Sequence, residues 1–147
     1  MSIKLQHSTV AKCSVESVWQ AFTEVERWPE WSKLFSRATW IGGAPWEKDS
    51  ALLLELAQPA AKLRAEVAEI APPNRVTWKG TVMGVTFKHN FSFVQQADGS
   101  TQMQSDIELS GPATFFINDE MKKKGLDGFV QWFEALRGQA EKVAVEA

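Results

Sequence analysis

The 147-residue sequence predicts an α+β fold: a curved antiparallel sheet of seven strands, two short helices and one long C-terminal helix. Three observations predict it. Turn signals cut residues 36–111 into strand-length pieces. Apolar residues recur at helical spacing on both sides of that stretch. Nine Phe and seven Trp, with no Tyr at all, supply rings for a wide apolar interior with few polar handles.

The elements follow in order. Residues 2–11 alternate, with Ile3, Leu5, His7 and Thr9 on one face and Lys4, Gln6 and Ser8 on the other, the pattern of a half-buried strand. Ser14 is placed to cap a helix carrying Glu16 in its first turn, where negative charge suits the helix dipole. Val15, Val18, Trp19 and Phe22 form its apolar stripe. Pro29 predicts a break at Trp28, because the residue before proline is disfavoured in the helical region. A second short helix is then expected to carry Trp31, Leu34 and Phe35.

Turn signals at Gly42-Gly43-Ala44-Pro45, Gln58-Pro59, Pro72-Pro73-Asn74, Met83-Gly84 and Asp98-Gly99 bound six further strands, at 36–42, 49–57, 62–71, 74–82, 85–97 and 100–110. Sequential hairpins give an antiparallel sheet. The last helix is read from Phe116, Ile117, Met121, Phe129, Trp132, Phe133, Leu136, Ala140 and Val143. Gly125 and Gly128 each cost about 1 kcal/mol against alanine inside a helix. They mark either a loop-like entry or a close approach to another element. No repeat or linker interrupts the chain, so residues 1–147 read as a single domain.

Composition removes several classes. At 44% hydrophobic and 23% charged, the chain reads as soluble and globular, and a net charge of -2 offers no field for nucleic acid or an anionic membrane. No apolar run is long enough to span a bilayer, and residues 1–12 lack the apolar core of a signal peptide. Cys13 alone makes no internal disulfide, which fits a cytoplasmic protein. With His7 and His89 it makes no metal-ligand spacing, so neither a metal nor a cofactor is expected.

The segment "VESVWQAFTEVERWPEW" after the first strand resembles the START-related helix-grip superfamily, also called SRPBCC, and within it the polyketide cyclase/dehydrase-like branch. The matching positions are Val18, Trp19, Phe22, Glu24, Trp28, Pro29 and Trp31. "IAPPNRVTWKG" resembles the family's Pro-Pro-x-Arg hairpin, and "GVTFKHNFSF" with "DGSTQMQSDIELSG" resembles the long strands that follow. The resemblance spans nearly the whole chain but rests on scaffold residues. It implies a cavity between the sheet and the long helix, in a family of aromatic cyclases, lipid-transfer proteins, plant hormone binders, chaperone activators and many bacterial members.

Strand parity selects the cavity wall. On 85–97, Val85, Phe87, His89, Phe91 and Phe93 share the apolar, inward face. A buried imidazole there stays neutral, able to bind a ligand carbonyl or hydroxyl, to act as a general acid or base, or simply to sit as a core histidine. His89 is thus the one candidate catalytic residue. The candidate ligand contacts are His7, Leu54, Leu56, Val67, Trp78, Phe87, Phe91, Met103, Ser105, Ile107, Phe129 and Phe133. Leu52, Leu63, Ala65, Val76 and Leu109 share those inner faces, and Met121 and Trp132 are offered by the long helix.

The expected activity is binding of a hydrophobic small molecule, lipid-like or polyketide-like, by a monomer or homodimer with no nucleic acid and no integral membrane association. A cyclase or dehydratase using His89 as acid/base is the alternative. A protein-partner module on the same scaffold ranks third, because no charged arm or patch suggests one.

Overall fold

The computed structural model describes residues 2–57 and 60–146. Strand β1 (Ile3–Ala11) leads into helix α1 (Val15–Thr23), a single 3-10 turn (Val25–Arg27) and helix α2 (Trp28–Trp31). Strands β2 (Phe35–Gly42), β3 (Ala51–Ala57), β4 (Ala60–Ala71), β5 (Arg75–Val82), β6 (Val85–Gln95) and β7 (Thr101–Ser110) follow. A second 3-10 turn (Pro112–Phe116) precedes helix α3 (Asp119–Glu146). The seven strands form one antiparallel sheet in the order β1-β7-β6-β5-β4-β3-β2. Sequential hairpins account for every neighbour except β1, which returns to pair β7 with His7 opposite Ser105. The predicted fold class is the observed one.

The local differences have physical causes. The helical run breaks at Glu24 and not at Trp28, and Trp28 is helical with φ -52° although Pro29 follows it. Proline in a first helical turn removes an amide that has no helical acceptor anyway. Trp28 is fully buried, and its indole donates to the Phe22 carbonyl at 3.1 Å. Burial and that bond outweigh the steric preference against the helical region. The second helix stops at Trp31, because Ser32 turns extended and its hydroxyl accepts from the Leu34 amide at 3.2 Å. Phe35, expected on that helix, instead opens β2 opposite Leu56.

Phe116 and Ile117 do not belong to the long helix. Pro112 opens a separate 3-10 turn, and the Asn118 side chain caps α3 by accepting from the Met121 amide at 2.9 Å. The strand expected from residue 49 begins at Ala51, because Asp49 is left-handed with φ 70°. The strand expected over 85–97 ends at Gln95. A bulge between Val67 and Glu69 returns Ile70 to the inner side. The expected Gln58-Pro59 turn lies outside the described residues.

Helix α1 packs between the sheet and α3, and α3 also covers β1. Val18, Ala21 and Phe22 on the inner face of α1 are buried, and Ser14 caps it by accepting from the Ser17 amide. The core is continuous from these residues through Trp28, Phe91, Phe93 and Met103 to Trp132, Phe133 and Leu136 on α3.

Two glycines give opposite expectations. A Cβ at Gly80 would collide with the Arg64 carbonyl oxygen and lie 2.6 Å from Phe87 Cζ. Gly80→Ala should therefore cost about 2 kcal/mol in urea unfolding, through overpacking that backbone cannot relieve. Gly125, inside α3, has open space around a built Cβ. Gly125→Ala should raise stability by up to about 1 kcal/mol in the same assay, from helix propensity alone.

Candidate functional site

Inner-facing residues near α1 and those away from it meet different fates. Near α1 the ring of Phe22 lies 4.9 Å from Phe91, 5.3 Å from Phe93 and 6.4 Å from Trp132, centroid to centroid. That end is solid. Beyond it the sheet and α3 diverge around a cavity of about 500 Å³. Its walls are Leu54, Leu56, Leu63, Trp78, Phe87, Ile107 and Leu109 from the sheet, Phe35 from the start of β2 and Phe129 from α3. The mouth is formed by Val82, Met83 and Val85 at the β5–β6 turn, Ala113 and Phe116 in the second 3-10 turn, and Ile117 and Met121.

Close backbone contact fixes that mouth. Gly111 has φ 101°, and a Cβ there would lie 2.8 Å from the Gly84 carbonyl oxygen. The β5–β6 turn therefore rests directly on the 3-10 turn. Met83 is 91% exposed and Phe116 81% exposed, unusual for large apolar side chains, so the rim presents grease to solvent.

His89 stands at the boundary between the solid end and the open end. Its ring stacks on Phe91 at 3.8 Å and meets Trp78 and Phe129 edge-on at 5.7 and 5.5 Å. Nε2 lies 2.6 Å from Ser105 Oγ. Complete burial among these rings removes hydration that the charged imidazolium would need, and pushes the pKa from 6.5 down to about 3. His89 is thus neutral at physiological pH. It is the only titratable side chain lining the cavity among the described residues.

Of the other candidates named from sequence, Leu54, Leu56, Trp78, Phe87, Ile107 and Phe129 line this space, whereas Val67, Phe91, Met103, Ser105 and Phe133 do not. The four on strands face inward as parity requires and Phe133 faces inward from α3, but all five are buried away from this space, with Phe91, Met103 and Phe133 in the packed core. Ser105 reaches the cavity only through His89. Trp132, too, is core: its indole nitrogen is buried without a hydrogen-bond partner. His7 lies beside a separate void of about 10 Å³, with Ser105, Ile107 and Phe129 also on that void's wall. Its Nε2 donates to Glu134 Oε2 at 2.9 Å, tying β1 to α3. Burial tends to raise the Glu134 carboxyl, but hydrogen bonds from His7, Arg137 and Thr9 outweigh it and hold it below the usual range. Cys13 is buried, and its thiol is pushed up by desolvation and by Glu141, the reverse of an activated nucleophile.

Sequence reasoning missed the mouth. Met83 falls in a turn signal, and an apolar residue at a hairpin tip is the one mark of the rim that the sequence carries. Phe116 and Ile117 were absorbed into a helical stripe that Asn118 in fact interrupts.

A seven-stranded sheet gripping a long helix around an apolar cavity defines a class, the START-like helix-grip proteins. The chain belongs to the polyketide cyclase/dehydrase and lipid transport family, whose pattern matches residues 2–141. Solved structures agree on the fold at low identity. The Zhui aromatase/cyclase from Streptomyces sp. R1128 superposes with a TM-score of 0.81 at 12% identity, over 97% of this chain and 95% of that one. A START superfamily protein from Mycobacterium smegmatis gives 0.74 at 16% identity, over 95% and 98%. Ara h 8.0201 gives 0.78 at 9% identity, over 95% and 98%. No curated protein sequence matches the chain.

The buried imidazole makes a pH prediction. In the unfolded chain His89 protonates near its ordinary 6.5, while in the folded protein it stays neutral down to about 3. The unfolded state therefore takes up the proton first, and stability falls with pH through the window from 6.5 to about 3. Going from about pH 7 to about pH 5 should cost about 2 kcal/mol from this group. His89→Phe should remove that part of the slope in urea titrations at the two pH values. An unchanged slope would place the ring in a more solvated site.

Proposed function

We propose that this protein binds a hydrophobic small molecule, lipid-like or aromatic and polyketide-like, in the cavity between the sheet and α3. The observation that carries the reading is a space of about 500 Å³ whose lining side chains are apolar except for the ring nitrogens of His89 and Trp78. That volume lies in the range of small-molecule sites, and apolar burial at about 25 cal/mol per Å² supplies affinity without charge recognition. The family and the named cyclase among its structural neighbours are consistent with such a ligand.

A cyclase or dehydratase reading, with His89 as general acid/base, draws on the same imidazole. One observation weighs against it. No second titratable side chain lines the cavity among the described residues, so nothing there is placed to relay a proton. Binding is the better-supported function. The wider setting we propose is one domain spanning residues 1–147, monomeric or homodimeric, in the cytoplasm. Among the described residues no helix is long and apolar enough to cross a membrane.

The test is displacement. The neutral fluorophore N-phenyl-1-naphthylamine should bind with about 1:1 stoichiometry and brighten as it leaves water. Leu56→Trp, which adds bulk at a half-buried position of the cavity wall on β3, should weaken it at least about tenfold while circular dichroism stays native. Undiminished binding to Leu56→Trp would put the site elsewhere.

A further inference from the structure

The cavity holds very few polar atoms, and their hydrogen-bonding sense follows from their neighbours. His89 offers two ring nitrogens. Nε2 faces Ser105 Oγ at 2.6 Å, and Nδ1 has no protein partner among the described residues. Nδ1 is nevertheless not sealed in the core: the buried side-chain polar atom left without a partner is Trp132 Nε1. On a residue 2% exposed that lines the cavity, the free nitrogen opens onto the cavity.

The tautomer is assigned from the network. A neutral imidazole has one N–H and one bare nitrogen. If Nε2 carried the hydrogen and donated to Ser105, the buried Ser105 hydroxyl hydrogen would have no acceptor among the described residues. If instead Ser105 donates to a bare Nε2, the hydroxyl is satisfied and the hydrogen sits on Nδ1. Each tautomer thus leaves one donor without a protein partner, but only the Nδ1–H of the second opens onto the cavity, where an acceptor on a bound molecule can take it, so the second arrangement is the one in which every donor can be met. The lining's other nitrogen, Trp78 Nε1, can only donate, and it too has no protein partner among the described residues. With no Tyr in the chain and no Ser, Thr, Asn, Asp or Glu in the lining, the side chains there offer donors and no oxygen acceptor.

We infer that the cavity selects an uncharged apolar molecule bearing a hydrogen-bond acceptor, such as a ketone or ester carbonyl, which takes the Nδ1–H of His89, while Ser105 is the positioning residue that holds that tautomer. This rests on the proposed binding function and narrows its ligand class. A ligand whose only polar group is a donor meets His89 only in the other tautomer, which leaves the Ser105 hydroxyl hydrogen without an acceptor. An ammonium or carboxylate is excluded by the cost of burying charge against these walls. The assignment also bears on chemistry: Nδ1 arrives protonated, so His89 faces the ligand as a donor to oxygen and has no free base on that side.

Three probes of nearly one shape separate the possibilities: fluorene with no polar group, 9-fluorenone with an acceptor, and carbazole with a donor. Each is titrated against the naphthylamine-loaded full-length protein. The inference predicts that fluorenone binds about five- to tenfold tighter than either of the others, the size of one net hydrogen bond. Equal affinities overturn the inference and leave the apolar site standing. A preference for carbazole overturns it by making Nδ1 the acceptor. If none of the three displaces the fluorophore, cavity binding itself fails and the inference falls with it. Nitrogen-15 NMR of the two histidines, with His7→Gln for assignment, should show His89 protonated at Nδ1 and bare at Nε2. Ser105→Ala should lose that signature and most of the fluorenone preference. A persistent Nδ1–H signal with undiminished preference would show that Ser105 does not hold the tautomer.

Discussion

Phe22 is the wedge on which the interior depends. One ring, carried on the short helix α1, meets Trp28, Trp46, Trp78, Phe91, Phe93 and Trp132 within 6.4 Å, centroid to centroid. A packed aromatic cluster has little compressibility and holds the elements around it at fixed separation. Here it sets how far α3 stands from the sheet. Near α1 the gap is filled by rings. Further along, where α1 no longer intervenes, the same gap is left open and becomes the cavity. α1 is in turn pinned from outside its own turns, since the Val15 amide donates to Gln95 Oε1 and the Thr101 hydroxyl donates to the Cys13 carbonyl.

This division explains why one strand contributes to two environments. On β6, Val85, Phe87 and His89 line the cavity while Phe91 and Phe93 belong to the cluster. On β7, Ile107 and Leu109 line the cavity while Met103 does not. His89 falls at the transition, where one face of its ring is stacked on Phe91. That placement gives it both of its properties, a depressed basicity from burial and a ring nitrogen with no protein partner among the described residues. The position of the cavity is thus a consequence of packing geometry more than of any local motif.

The sheet and its inward faces were legible because period-two alternation depends only on the backbone, and turn residues such as Asp98-Gly99 punctuate it. What parity does not encode is position along the strand relative to α1. Phe91, Met103 and Phe133 face inward as expected, yet they are packed where Phe22 and its neighbours occupy the space. Phe35 was misplaced because Trp31, Leu34 and Phe35 have helical spacing, and only the pairing with Leu56, a non-local contact, decides for a strand. Phe116 and Ile117 continue a helical period with Met121, but a single Asn118 side chain resets the helix start. The mouth was hidden for the same reason, since it is assembled from two turns brought together by the Gly84–Gly111 contact.

The central claim is that one half of the interior is solid and the other is an apolar space open to a hydrophobe. Xenon is the most direct probe, since it occupies dry apolar cavities and has no hydrogen-bonding preference of its own. A crystal of the protein pressurised with xenon should show ordered atoms among Leu56, Phe87, Ile107 and Phe129, and none among Phe22, Phe91, Phe93 and Met103. Xenon absent from the first group, with α3 collapsed onto the sheet, would contradict the account.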